Sequence, residues 1–322
     1  MHNVNSMFYV GQEPWHGLGK KLDQAATAAD AIKAAGMEWE VIKAPVLYTP
    51  PGKMVRDAVG HYVTARADNG AALGVVGERY TILQNREAFS FFDAVVGEKL
   101  AIYHTAGALG AGETVWILAK LPGEIRTVGD DISEKFLLLT NRHDGSGSVE
   151  IMFTPIRVVC QNTLNIALSD ENGKRAKVRH TASMGLGIER VRETLGLLNS
   201  RFALFEDLSR QMANKQLGSK DLDAYLSGLF KTEAAEGSKR AESRAANVME
   251  EVERLFNYGK GNNLPGVKGS AWAAFNAVTE YADHFRTVRG EKGLDNRAKS
   301  LLFGTGADLK QRAWDGALAL LK

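Results

Sequence analysis

The sequence predicts an α+β protein, with an antiparallel β-meander flanked by helices and a mostly helical C-terminal region. Two observations carry this. Four apolar, strand-like runs follow one another between residues 99 and 154, "KLAIYHTAGAL", "ETVWILAKL", "KFLLLTNR" and "SVEIMFT". Their connections are too short for parallel crossovers. From Ile188 onward, by contrast, apolar residues recur three and four apart, the helical spacing.

The elements follow in chain order. "TAADAIKAAG" (27–36) predicts a short helix capped by Thr27 and stopped at Gly36. "WEVIKAPVLYT" (39–49) and "GHYVTARA" (60–67) are strand-like. "NREAFSFFDAVV" (85–96) carries Ala88, Phe89, Phe92 and Val96 on one helical face. Gly107, Gly110 and Gly112 mark the first turn of the meander, and "HDGSGS" (143–148) a hairpin turn. "FTPIRVVCQNTLNIAL" (153–168) reads as the closing helix, with Thr154 as N-cap and Pro155 at the first helical position. Cys160 falls on its apolar stripe and is expected to pack as a small hydrophobe. A near-heptad seam of Ile188, Val191, Leu195, Leu198, Phe202 and Phe205 predicts a long helix packed along another. Further helices are expected at 220–230, 241–257, 270–287 and 307–321, with 259–270 as a loop. A boundary near 170–185 divides an α+β domain, 1–180, from a helical region, 181–322.

Composition narrows the function. The 322 residues are 44% hydrophobic, ordinary for a globular protein. A single cysteine excludes an intramolecular disulfide framework and fits a reducing compartment. No apolar run is long enough to span a bilayer, so no membrane partner is expected. The start "MHNVNSMFYVGQ" lacks the regions of a signal peptide, and a cytoplasmic place is expected. The net charge of +2 is too small to identify a nucleic-acid binder, so that reading rests on local clusters.

Several familiar chemistries have no motif in this chain. A P-loop, a dinucleotide glycine fingerprint, zinc-type spacing and HExxH are all missing, so no catalytic residue, metal ligand or cofactor is assigned. Asp130–Asp131 reads as a pair of solvated turn residues. "NGKRAKVRHT" (172–181) is the informative stretch. Lys174, Arg175, Lys177, Arg179 and His180 suit phosphate contacts, with a solvated loop as the alternative. Arg142 and His143, at the tip of the preceding hairpin, lie where they would join that surface. Trp116, Tyr103 and Phe136 are weighed as stacking platforms and favoured as core. "EPWHGLGKKL" (13–22) reads as an arm anchored by Trp15, on its own chain or a neighbour.

"PWHGLG", "GERYTILQNREAFSFFDAVV", "FTPIRVVCQNTLNIAL", "KVRHT", "AWAAFNAVTEYADH" and "NRAKSLLFGTGADLKQRA" occur in this order. Together they resemble the phage/plasmid-like protein family, which carries the domain of unknown function nine-three-two. The resemblance spans nearly the whole chain and implies a mobile-element origin. The helix, meander, helix order of 85–168 is also similar to the core of single-strand annealing proteins, the Rad-fifty-two, Red-beta and RecT superfamily. That likeness implies rings or filaments with a basic groove for single-stranded DNA. It would be lined by Lys174, Arg175, Lys177 and Arg179, with Arg142, Arg157 and Asn162 as further candidates.

The expected function is therefore an oligomeric single-stranded nucleic-acid-binding protein, for DNA or RNA, that promotes annealing without ATP or any cofactor. Trp15, Ile188, Val191, Leu195, Leu198 and Phe202 are the expected oligomer interface. The rivals are a metal-dependent nuclease or hydrolase using Asp130, Asp131, Glu150 and histidines, and a module that binds a host factor.

Overall fold

The runs "VWILA" (115–119) and "FLLL" (136–139) have no polar residue at either parity, and strands of that kind are buried on both faces. The computed structural model of the chain bears this out. It describes residues 4–10, 19–23, 27–96, 102–157, 176–181, 198–230, 239–286, 300–301 and 304–322. The meander is β6 (Ile102–Leu109), β7 (Thr114–Val128), β8 (Asp131–Arg142) and β9 (Val149–Phe153), all antiparallel. It lies inside an eight-stranded sheet. β1 (Val4–Val10) pairs with β6, β2 (Lys20–Leu22) pairs in parallel with β1, and β11 (Ala176–Val178) closes the other end beside β9.

Alternation sorts the side chains. Phe8, Val115, Ile117, Leu137, Leu139 and Ile151 share one buried face with Ala31 and Ala35, in and just after α1 (Ala28–Ala34), and with Ala88 and Phe89 of α2 (Asn85–Val96). Met7, Tyr9, Trp116, Leu118, Phe136, Leu138 and Met152 are buried on the other. Thr27 caps α1 as expected, its hydroxyl accepting from the Asp30 N–H. Gly110 and Gly112 occupy the β6–β7 turn with positive φ. Gly107 does not. It lies within β6 opposite Trp116, where a Cβ would stand 2.5 Å from the indole ring.

A second, three-stranded antiparallel sheet holds β3 (Val41–Tyr48), β4 (Arg56–Arg66) and β5 (Ala72–Gly77). Arg66 fastens it to the first. Its guanidinium bonds both carboxylate oxygens of Asp68, donates to the Ala111 carbonyl and lies over the Trp39 ring at 4.4 Å. The Gln84 amide accepts from the Val41 N–H and donates to the Val41 carbonyl, as a neighbouring strand would.

The C-terminal region is helical: α3 (Leu198–Asn214), α4 (Ser219–Phe230), α5 (Lys239–Tyr258), α6 (Ala271–Glu280) continued by a π-helical turn (Tyr281–Phe285), and α7 (Thr305–Ala319). The Phe205, Trp272, Phe275 and Trp314 rings centre its core. β7 and β8 run past their neighbours and carry Ile125 into that core, together with Phe153.

Three expectations change. The register Leu137↔Phe153 is kept at Glu134↔Ile156, so the chain passes Thr154–Pro155 in step with β8 into β10 (Ile156–Arg157) and no helix starts at Thr154, while residues 158–168 of the expected helix lie outside the described residues. The Thr154 N–H donates to the Phe136 carbonyl, and by alternation the missing N–H of Pro155 faces away from β8, where proline is tolerated. Asp131 is buried, not solvated, and its Oδ2 accepts the Trp272 indole N–H at 2.6 Å. Phe202 is buried in its own chain, against Phe153 at 4.2 Å between ring centres, and presents no surface to a partner. Trp15, Cys160, Asn162, Lys174, Arg175, Ile188, Val191 and Leu195, and the side chains of Arg157, Lys177 and Leu198, lie outside the described residues.

Candidate nucleic-acid interface

The basic run meets the fold at β11, the last strand of the sheet order among the described residues. Lys177 takes the register position opposite Glu150, and Val178, opposite Val149, is buried. Arg179 is exposed just beyond the strand. Arg142 is half-buried and donates to the Ser146 hydroxyl at 3.1 Å across the tip of the β8–β9 hairpin. Arg157 stands opposite Ser133 on β10. His180 departs from the expected set. It is buried, its Nδ1 lies 3.0 Å from the Thr81 carbonyl, and its ring stacks on Tyr80 at 4.7 Å. Burial pushes its pKa down, against the Thr81 carbonyl and Asp144, so a neutral imidazole is held inside rather than a cation offered to phosphate. Trp116, Tyr103 and Phe136 are buried core residues and not stacking platforms.

Tyr80 links this edge to a polar centre that sequence reasoning missed. Its hydroxyl donates to the Arg142 carbonyl at 2.8 Å, and burial, then Asp144, push its pKa up. Nearby, His143 Nε2 lies 3.0 Å from Asn85 Oδ1, while Asn85 Nδ2 donates to the Met37 carbonyl. Since that Oδ1 can only accept, Nε2 carries the proton and Nδ1 is a bare lone pair. The Asn141 amide donates to the Leu83 carbonyl, the Thr64 hydroxyl to the His143 carbonyl at 2.7 Å, and the Trp39 ring stands edge-on to His143. Burial first, then the neighbouring His180, push the His143 pKa down to about 3, against the opposing pull of Asp144. The centre joins α2, both sheets and the hairpin tip. Its sequence signal was only "TNRH" at a strand end, with its partners some 60 residues away in the chain.

The C-terminal family-like segments meet at a second buried polar point. Lys310 on α7 donates to Asp283 Oδ1 on the π-helical turn at 3.0 Å, both side chains within the core. Glu280 accepts from the Lys260 N–H. Among the described residues no three His, Cys, Asp or Glu side chains come together as a metal would require.

The model of the family described as "Domain of unknown function (DUF932)" matches residues 72–302. The chain belongs to this family. No curated protein matches it, and no solved structure does. In this DUF932 chain the matched stretch starts at β5 and takes in the meander, the basic run and the helices through α6. Strands β1–β4 precede it, and Lys310 follows it, so Asp283 within the match pairs with a residue beyond it. No helix among the described residues is long and apolar enough to cross a membrane.

Proposed function

We propose that this DUF932 chain is a cytoplasmic, oligomeric protein that binds single-stranded nucleic acid along the β11 edge of its large sheet. There it promotes annealing of complementary strands for a phage, prophage or plasmid. The observation that supports this is the course of the basic run. Residues 176–178 of the run form the last strand of the sheet order among the described residues, and Arg179 is exposed just beyond it. A sheet edge that carries cations in sequence offers a track for phosphates, and a track needs no cofactor. The metal-nuclease rival loses a member, because Asp131 is engaged by Trp272 inside the protein.

The test is fluorescence anisotropy with labelled oligonucleotides, together with an annealing assay without ATP. The parent should bind single strands and accelerate pairing. Lys174→Glu, Arg175→Glu, Lys177→Glu and Arg179→Glu together should weaken binding at least tenfold with an unchanged circular dichroism spectrum. Equal binding and annealing by parent and variant would leave the cations of the run facing only solvent and end this reading.

A further inference from the structure

The three-stranded sheet carries apolar residues on both faces. Its inner face, packed on the 143–148 turn, buries Val41 and Val76 beside Lys43, Thr64 and Arg66. Thr64 bonds the His143 carbonyl, a Cβ on Gly74 would touch the Asp144 backbone, and Lys43 donates to the Glu78 and Tyr80 carbonyls. Register and alternation put Ile42, Val46 and Tyr48 of β3, Val63 of β4 and Val75 of β5 on the opposite face. Solvated faces of antiparallel sheets are normally the polar ones. Here Ile42 is 47% exposed, Tyr48 50% and Val75 59%.

The same face continues onto a projecting arm. Among the described residues β5 pairs only with the part of β4 from His61 onward, and no third strand lies beside the hairpin from Val46 to Gly60. Its tip bears Met54, 86% exposed, with Leu47, Val55 and Val59 also exposed. At roughly 100 Å² each, Ile42, Tyr48 and Val75 with Met54, Val55 and Val59 of the arm make a patch of about 600 Å², while Leu47, whose register partner is Asp57, lies on the other side. That is at the top of the ~300–600 Å² of the largest patch on a typical monomer and about three quarters of the ~800 Å² each partner gives a standard interface.

We propose that this outer face and arm are where a second copy of the chain docks, sheet face on sheet face. Charge and edge geometry choose the occupant. Arg56 and His61 are the only Lys, Arg, His, Asp or Glu residues that register puts on the face among the described residues, too few for a nucleic-acid backbone or an anionic membrane. Pro45 lies in the edge strand β3 and blunts strand addition there, and β5, the other edge, is only six residues long, so the face is the larger surface open to a partner. Two flat apolar faces related by a twofold axis are complementary to themselves and pack at about 10 Å, as sheets in a sandwich do. The inference supplies the oligomer that the annealing reading requires, but its own evidence is this face.

Light scattering on the full chain at tens of micromolar, without nucleic acid, tests it. The parent should have the mass of two chains or more. Ile42→Glu/Val75→Glu should have the mass of one, with the parental melting temperature. Should that variant fail to fold, Tyr48→Glu/Met54→Glu on the arm gives the same reading away from the core. A monomeric parent overturns the proposal, including the case where a segment of the same chain covers the face. So does a variant that folds and keeps the parental mass. A parent that is oligomeric through this face yet binds no single-stranded oligonucleotide would leave the interface standing and remove only the annealing reading.

Discussion

A carboxylate beside a turn glycine is ordinarily solvated, but Asp131 is buried because an indole N–H comes to it from 141 residues further along the chain. Removing the acceptor orphans a buried donor, which costs ~1–3 kcal/mol. Asp131→Ala should therefore destabilise by about that much, and Asp131→Asn by less, since its amide oxygen still accepts. A double-mutant cycle with Trp272→Phe in chemical denaturation should return a coupling of ~1 kcal/mol or more, and additivity would mean the bond contributes nothing. His143 gives the pH counterpart. Its folded pKa, about 3, lies below the unfolded value of 6.5, so below pH 6.5 the unfolded chain takes up the proton first. The stability gained by keeping the ring neutral is complete above pH 6.5. It falls by ~1.4 kcal/mol per pH unit as pH drops towards 3. His180 and His104 are also held down by burial and add in the same direction. Urea melts at pH 7 and pH 5 should differ by ~2 kcal/mol or more, and an equal midpoint at both would show that His143 is solvated. None of these partners was legible in the sequence, because each contact joins residues that only the finished fold brings together.

The elements were easier to read than their contacts, for a physical reason. α2, α4, α5 and α7 carry apolar residues at helical spacing along one side, and α6 is a mostly apolar run behind the Ser270 cap, so sequence pattern found them within a few residues. The meander was legible from its spacing. Residues 153–157 were not, because Thr-Pro fits a helix start and an edge strand equally well, and the choice was made by the ladder to β8. The strands β1 and β5 went unread, because each depends on pairing with a neighbour, β6 and β4, that sequence alone does not bring to it. Packing between the two sheets can be tested with a matched pair. A Cβ on Gly74 would stand 2.5 Å from Asp144 Cα, backbone that cannot swing aside, whereas a Cβ on Gly77 meets nothing within 4 Å. Gly74→Ala should cost ~1–3 kcal/mol and Gly77→Ala less than about 0.5. Equal midpoints for the two variants would mean that the sheets are not pressed together at the 143–148 turn.

At the scale of the whole molecule, a basic run of four side chains and an apolar face make separable demands on binding. One subunit neutralises only a few phosphates, so it should bind weakly, with a log–log salt slope of about −0.7 for each phosphate engaged. Subunits joined through the three-stranded sheet would present the run repeatedly, and a strand long enough to reach two of them gains affinity through effective concentration, by a factor on the order of 10² or more. Parent affinity should therefore climb with oligonucleotide length once one footprint is exceeded. Ile42→Glu/Val75→Glu should bind short oligonucleotides as the parent does, with the same salt slope, yet gain nothing on long ones. The charge-reversed run should do the converse, keeping the oligomer while losing affinity and slope at every length. Anisotropy titrations of both variants, on a short and a long strand at two salt concentrations, separate these effects. If the face variant loses short-strand binding in proportion to long, the phosphates are held at the face and not along β11, and the cations of the run face only solvent.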